Sequence, residues 1–357
     1  MKSAKNHSNS LIYTPLFFLS CIFLITIILS SGCKDKNEQL LEPEETNGFN
    51  ETLVRYATYI HSSIPVSSAN QYQLTQNNRS QVYWYNIAPS DVKVTDIMGE
   101  DFVVKQQYAL VNTMDVVFNP DKNGIYNTGQ LSADPKENWG GLFRSVPLNI
   151  IDRNSSKNLM MKIWIKIIET SPEAVLNIDL GEISEDIIPN LKLDTEDKNN
   201  NDVLDEGEDV GLDMLASQLE PGYDQNLNAD PYHDDFSFFL GNMGNNDYSH
   251  INSPEGNGQA IDLGRVPDSE DLSRNFTLDK NNNYNSYQIP LEKNKLTSVR
   301  IIEYGHNGWL RVKIPIDLPG RTIGNFNITQ LETIRLWITG AAKKVHIRIA
   351  EIKFEEF

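Results

Sequence analysis

A run of oxygen-bearing side chains near the middle of the chain has the spacing of a calcium-binding loop. Within one twelve-residue stretch, ligand-type residues fall at positions 1, 3, 5, 9 and 12: Asp197, Asn199, Asn201, Asp205 and Glu208. An EF-hand-type loop wraps one Ca²⁺ in this order, and its closing Glu can bind through both oxygens. Position 6 is Asp202 where the pattern has Gly, so Asp202 must adopt a left-handed backbone conformation. The spacing predicts one structural Ca²⁺ site.

The charge around this loop supports the prediction. Between residues 182 and 213 the chain has twelve acidic residues and two lysines. These carboxylates would repel one another in a compact segment unless a cation lay among them. Residues 191–195 have an extended or irregular pattern rather than that of an amphipathic helix, so we expect a lone structural loop and not a helix-loop-helix sensor. The alternative is an acidic, solvated loop without an ion.

A second oxygen-rich group follows downstream. It consists of Asp230, His233, Asp234 and Asp235, followed by Asn242, Asn245, Asn246 and Asp247. These side chains could complete the first cation site or form another one, and a transition-metal site that uses His233 is a further alternative. Residues 279–285 repeat the start of the first loop without its closing Glu, so we interpret them as a β-turn connector.

Alternating apolar and polar residues predict the elements that position these groups. Period-two, β-prone segments recur from residue 81 onward, Gly, Asn and Pro separate them at short intervals, and long helical periodicity is absent. Residues 159–183 and 334–352 share one order: a strand with a central Trp, a short polar turn and an alternating strand, which we interpret as a jelly-roll strand pair. The sequence therefore predicts an all-β, jelly-roll-like (galactose-binding-like) β-sandwich over residues 81–357, with a long acidic, Ca²⁺-binding insertion at about 190–280.

The first residues have the features of a lipoprotein signal peptide. Lys2 and Lys5 precede a mostly apolar run over residues 11–29, and small residues then lead directly to Cys33. This pattern predicts cleavage of residues 1–32 and lipidation of Cys33, which would anchor the chain to the outer membrane of a cell envelope. The alternative is an uncleaved single-span anchor, since the run approaches the length that crosses a bilayer. We interpret residues 33–80 as a polar tether.

Charge and missing motifs exclude several classes of function. The formal net charge is −18, and removal of residues 1–32 with their two lysines makes it −20. This charge argues against nucleic acid and anionic lipid as partners. The two cysteines are Cys21 and Cys33, so the mature chain has no disulfide. The sequence also lacks the common metalloprotease, serine hydrolase, P-loop and Rossmann motifs, and we predict that the protein is not an enzyme.

Two motifs resemble signatures of a known family. Residues 119–127 read Asn-Pro-Asp-Lys-Asn-Gly-Ile-Tyr-Asn, and residues 137–144 read Glu-Asn-Trp-Gly-Gly-Leu-Phe-Arg. They resemble the P-x-x-x-G-x-Y-N and E-N-W-G-G-x-x-R signatures of the SprA family, the cell-surface gliding-motility and type IX secretion proteins of Bacteroidota. Similar segments continue in the same order to about residue 355: residues 180–186, 193–197, 205–213, 230–235, 255–257, 267–272, 287–291 and 334–340.

The resemblance implies a stand-alone extramembrane module of the SprA type. A chain of 357 residues leaves no room for the family's transmembrane barrel beside that module. We therefore expect a non-catalytic, SprA-like envelope lipoprotein, accessory to gliding motility or type IX secretion, whose partner is an envelope secretion or motility protein. A carbohydrate-binding surface lipoprotein is the alternative, with Trp139 and Arg144 as a candidate sugar or peptide platform rather than a packed corner. A jelly-roll glycosidase is a third hypothesis.

Overall fold

Two antiparallel sheets of six strands each form the body of the protein. Sheet one has the order β1-β4-β11-β6-β7-β10, with β1 Ile60–His61, β4 Gly140–Ser145, β6 Val175–Glu182, β7 Asn283–Pro290, β10 Arg321–Ile323 and β11 Thr333–Thr339. Sheet two has the order β2-β3-β12-β5-β9-β8, with β2 Ser80–Asn86, β3 Met114–Asn123, β5 Leu159–Glu169, β8 Ile301–Tyr304, β9 Trp309–Pro315 and β12 Val345–Glu356. One short α-helix, α1 (Val94–Met98), accompanies them in the described residues.

The structure is a computed structural model that describes residues 49, 52–66, 74–87, 92–100, 110–147, 150, 159–238, 247–258, 266–292, 295 and 301–356. All of these lie within one unit, residues 39–357. The predicted signal peptide, Cys33, part of the predicted tether, and Asn242, Asn245 and Asn246 lie outside the described residues. Among the described residues, no helix is both long and apolar enough to cross a membrane.

The period-two pattern produces the core between the sheets. In β11, alternate residues Ile334, Leu336 and Ile338 are buried in the main hydrophobic cluster, and Leu336 lies opposite Ile178 of β6. The facing sheet contributes residues such as Ile347 of β12 to the same cluster. Burial of each such side chain stabilises the fold by roughly 1.5–3 kcal/mol. All five tryptophans of the chain are also buried.

The prediction of an all-β sandwich is confirmed. Successive long strands from β3 to β6 alternate between the two sheets, as a jelly roll requires, but the jelly-roll-like and galactose-binding-like form stays a prediction.

The connection from β6 to β7 spans residues 183–282 and contains the segment that the sequence marks as an insertion. In its described part it forms no strand of either sheet, only the 3₁₀ helix Ser217–Leu219 and isolated bridges such as Thr195 with Ser269. Apolar residues of this connection pack against the outer face of sheet one. Ile187 and Leu212 lie in one buried cluster with Phe143 of β4. The connection is therefore docked on the sandwich.

Candidate metal centre in the acidic insertion

Buried carboxylates hold the insertion together by accepting backbone N–H groups. Glu196 is fully buried, and its Oε1 accepts the N–H groups of Val210 at 3.0 Å and Gly211 at 2.8 Å. Its Oε2 accepts the N–H of Asp268 at 2.8 Å, and Glu270 accepts two further backbone N–H groups at 2.8 and 3.0 Å. Buried backbone donors without a strand partner need such acceptors. Burial raises the pKa of Glu196 and of Glu270 to about 8.

The first half of the predicted calcium loop turns around Asp197. The Oδ1 of Asp197 accepts the N–H of Asn201 at 3.0 Å, and its Oδ2 accepts the N–H of Asp202 at 2.8 Å. Asp202 has a φ of 57°, which is the left-handed conformation that position 6 of the pattern requires. Both hydrogen bonds fix the turn locally, because they link residues only four and five positions apart.

The second half of the loop closes back onto the first. The side-chain amides of Asn199 and Asn201 donate to Oδ2 of Asp205 at 2.8 and 3.0 Å. The Oε1 of Glu208 accepts the N–H of Lys198 at 3.0 Å, and its Oε2 accepts the N–H of Asp205 at 2.8 Å. The five predicted ligand residues thus lie in one hydrogen-bonded loop, but Asp197, Asp205 and Glu208 do not offer oxygens within 4.8 Å of one another. Calcium binding by this loop stays a prediction.

A different carboxylate group meets the geometry of a metal site more closely. Asp213, Glu220 and Asp234 each offer an oxygen, and these oxygens lie within 4.8 Å of one another. Within the described part of the chain, no other set of three or more His, Cys, Asp or Glu residues does so. Asp234 is 0 % exposed and Glu220 is 3 % exposed. Carboxylate oxygens are the ligands that hard divalent cations prefer.

Several oxygens of this trio have no hydrogen-bond partner. Both carboxylate oxygens of Asp234, Oδ2 of Asp213 and Oε1 of Glu220 are buried without one. Burial raises the pKa of Asp234, and the neighbouring Tyr126 hydroxyl offsets a part of this rise without meeting hydrogen-bond geometry to either oxygen. Among the ion pairs formed by the described residues, none includes a member of the trio. A buried carboxylate without a hydrogen bond or a counter-charge is costly.

Burial raises the pKa values of all three carboxyls, and repulsion within the trio adds to the shift at Asp234 and Glu220. Burial raises the pKa of Asp234 to about 9, and Glu220 and Asp213 raise it further. The pKa of Glu220 is raised to about 8, first by burial and then by the charge of Asp213. The pKa of Asp213 is raised to about 6, mainly by burial. The trio therefore binds protons at neutral pH unless a cation replaces them.

Contacts with the sandwich position the trio. Asp213 directly follows Leu212, whose N–H donates to the Tyr126 hydroxyl at 2.8 Å. Tyr126 in turn donates its backbone N–H to the carbonyl of Tyr232 at 2.6 Å. The N–H of Tyr232 donates to Oε2 of Glu220 at 3.0 Å. The turn after β3 thus meets both chain segments that carry the carboxylates.

Sequence reasoning found only part of this group. Asp234 belongs to the second oxygen-rich group that the sequence indicates, but Asp213 and Glu220 were not singled out. His233 is not among the side chains that converge, so the ligand set consists of oxygens. The sequence shows only that acidic residues are dense in this region, and this density does not predict which carboxylates lie close together.

The candidate ligand platform is buried. Trp139 is 0 % exposed, and its Nε1–H donates to the carbonyl of Thr75 at 2.9 Å. Arg144 is also buried and donates to the carbonyl of Thr52 at 2.8 Å and to the Thr58 hydroxyl. These contacts favour the packed-corner interpretation, since the Trp139 ring is not accessible to a sugar or peptide.

No protein-family model matches the chain, and a comparison with curated proteins found no significant match.

Proposed function

We propose that this protein is a non-catalytic, membrane-anchored envelope lipoprotein that presents its docked insertion to a protein partner. It would act as a SprA-like module, accessory to gliding motility or type IX secretion. The observation that carries the proposal is the distribution of exposed apolar side chains. Of the twelve large hydrophobic residues that are exposed in the described chain, seven lie in the insertion: Leu191, Val203, Met214, Leu219, Leu227, Val266 and Phe276. Exposed apolar side chains that gather into a patch mark protein-interaction sites, and the insertion has more than half of those in the described chain.

The insertion has the fixed conformation that such a surface needs. Glu196 alone joins three chain segments through backbone hydrogen bonds, and Leu212 anchors the insertion in the apolar cluster on sheet one. An ordered surface loses less entropy on binding than a flexible loop does. Between the insertion and the β1–β4 edge lies an open polar cleft of about 390 Å³, lined by Arg144, Asp197 and Arg274 among others. The cleft adds a recess that a partner side chain can enter.

The motifs that resemble the SprA signatures have structural roles here. The Asn127 amide donates to the carbonyls of Asn77 and Arg79 at 3.0 and 2.7 Å. The Asn138 amide donates to the carbonyl of Pro120 at 2.8 Å. These bonds join the β2–β3 edge to the turn before β4. These structural roles support the proposal that the resemblance to the SprA family reflects a shared fold module and not a shared ligand site.

Calcium in the 197–208 loop is part of the proposal. The spacing of the five ligand-type residues and the left-handed conformation of Asp202 support it. In this role Ca²⁺ would be structural, because it would hold the loop beside the cleft and would not participate in a reaction.

Crosslinking in native cells, followed by mass spectrometry, tests the proposed function. We expect the full-length protein to capture one envelope protein. The double variant Leu219→Ser and Leu227→Ser should reduce that capture roughly tenfold, as truncation of interface anchors commonly does. Leu318→Ser, at an exposed leucine between β9 and β10, is the matched control and should capture as much as the wild type.

Two outcomes would contradict the proposal. Capture that is equal for the wild type and the insertion variant would show that the insertion is not the interface. Binding of a glycan, or turnover of one, with no envelope protein captured would favour the carbohydrate-binding or glycosidase hypothesis instead.

A further inference from the structure

We propose that Asp213, Glu220 and Asp234 form a calcium site that is separate from the 197–208 loop. The site would lie where the insertion meets the turn after β3, so that the bound ion would fasten the two together. The inference does not depend on the partner of the insertion or on calcium in the loop.

The distances among the trio suit a single ion. Oxygen ligands lie about 2.3–2.6 Å from Ca²⁺, so two ligands of one ion are at most about 5 Å apart. The three carboxylates offer oxygens within 4.8 Å of one another. One ion can therefore bind all three without a rearrangement of the backbone.

The unpaired carboxylate oxygens are available to bind a cation. Asp234 is 0 % exposed, and neither of its oxygens has a hydrogen-bond partner. Glu220 is 3 % exposed, and its Oε1 is likewise unpaired, although its Oε2 accepts the Tyr232 N–H. By contrast, Glu196 uses both oxygens in the same insertion. The contrast separates carboxylates that hold the backbone from carboxylates that remain available for an ion.

Protonation alone is a poor substitute for a cation. A proton on Asp234 or Glu220 would remove only one negative charge from the three carboxylates that meet there. The new O–H would then be a buried donor that itself needs an acceptor. A divalent cation removes two charges and satisfies several oxygens at once.

The donor set selects the kind of ion. His233 precedes Asp234 but does not converge with the trio, which argues against the nitrogen-rich sites of transition metals. Mg²⁺ demands octahedral geometry and usually keeps several waters, whereas Ca²⁺ accepts irregular sets of protein oxygens. A site whose ligands are buried carboxylates therefore favours Ca²⁺. Glu255, outside the 4.8 Å group, adds negative potential and carries one more buried, unpaired oxygen.

The number of bound calcium ions tests this inference directly. The full-length protein is stripped with chelator and dialysed against Ca²⁺, and bound metal is measured by mass spectrometry. Glu220→Gln should bind one ion fewer than the wild type. Asp205→Asn, in the predicted loop, should leave the ion at the trio in place whether or not the loop binds calcium. Glu169→Gln changes an exposed Glu outside the insertion and both proposed sites, and should bind as many ions as the wild type.

Thermal unfolding supplies a second readout that separates loss of the site from loss of the fold. In chelator, Glu220→Gln should melt at or above the wild-type temperature, because one repelling carboxylate has been removed. At a hundredfold excess of Ca²⁺ over the Kd of the trio, the wild type should melt roughly 5 °C or more above its temperature in chelator, and the rise in Glu220→Gln should be smaller by about that amount. A variant that is merely misfolded would instead melt below the wild type in chelator as well as in Ca²⁺.

The proposal is overturned if the wild type binds no calcium, or if Glu220→Gln binds as many ions as the wild type. Tighter binding of Mg²⁺ or Mn²⁺ than of Ca²⁺ in the same dialysis would overturn the assignment of the ion. Failure of the crosslinking experiment would leave these measurements unaffected, since they require no partner.

Discussion

Buried charges in this chain are compensated in two ways, depending on where they lie. On sheet one, the guanidinium of Arg335 is fully buried, and its Nε donates to Oδ2 of Asp179 at 2.7 Å. Asp179 also accepts the Nε1–H of Trp337 at 2.9 Å. In the insertion, buried carboxylates such as Glu196 accept backbone N–H groups and have no basic partner among the ion pairs of the described residues. The two arrangements predict different responses to mutation.

Asp179→Ala should destabilise the fold strongly. It leaves Arg335 as a buried charge without its counter-ion, a loss that typically amounts to about 3–5 kcal/mol. The free energy of unfolding in urea measures the effect. Glu169→Ala is the control, because Glu169 pairs with Lys344 at 3.1 Å with both side chains about half exposed, and such pairs contribute about 0–1 kcal/mol. Equal effects of the two substitutions would contradict this account of Arg335.

The strands of the sandwich could be predicted from the sequence because their pattern is local. Ile334, Leu336 and Ile338 alternate along one strand, and a strand with one face in a core needs only this period. The 197–208 loop could be recognised for the same reason, since its five ligand-type residues lie within twelve positions. Both features belong to single stretches of chain.

The trio could not be predicted, because its members are brought together by other parts of the molecule. Glu220 lies seven residues after Asp213 and fourteen before Asp234, spacings that match no metal-binding motif. The segments meet because Tyr126, in the turn after β3, contacts both Leu212 and Tyr232. Trp139 shows the same limit, since its burial depends on Leu74 and Trp337 from distant segments.

At the scale of elements, Glu196 should control the order of the whole insertion. In Glu196→Gln an amide group replaces one acceptor oxygen, so that at least one of three buried backbone N–H groups loses its partner. Each such loss costs about 1–3 kcal/mol. We expect faster cleavage within residues 183–282 in limited proteolysis, whereas the strands of the sandwich stay protected.

Glu206→Gln is the matched control for this experiment. Glu206 is exposed in the same insertion, so the same Glu→Gln replacement is made there without removing a buried acceptor. The variant should be cleaved at the wild-type rate. Unchanged cleavage in Glu196→Gln would show that other contacts hold the insertion in place.

For the whole molecule, the buried carboxyls predict how stability depends on pH. Without metal, the folded chain has raised pKa values of about 8 at Glu196, Glu220 and Glu270 and about 9 at Asp234. The unfolded chain loses these protons near pH 4. The folded state therefore binds more protons between about pH 4 and pH 9. The stabilisation is fully present below pH 4 and is lost as the pH rises through 8 and 9.

The shifted pKa values of His61 and Tyr59 affect stability outside the range from pH 7 to pH 9. Burial lowers the pKa of His61 to about 3, so its contribution is fully present above about pH 6.5 and is lost as the pH falls. Burial raises the pKa of Tyr59 well above its usual value, which matters only above about pH 10. Between pH 7 and pH 9, a decrease in stability therefore reports mainly on the carboxyls.

We expect the melting temperature of the metal-free, full-length protein to fall from pH 7 to pH 9, and to fall less in Ca²⁺. Calcium replaces the protons on the trio, so its binding should strengthen with pH and should release protons into a weakly buffered solution. Surface repulsion from a net charge of −18 acts in the same direction, but high salt screens it, whereas buried carboxyls are screened much less. The same experiment in high salt therefore isolates the buried groups. A melting temperature that stays constant from pH 7 to pH 9 in high salt and chelator would contradict the raised pKa values of these buried carboxyls.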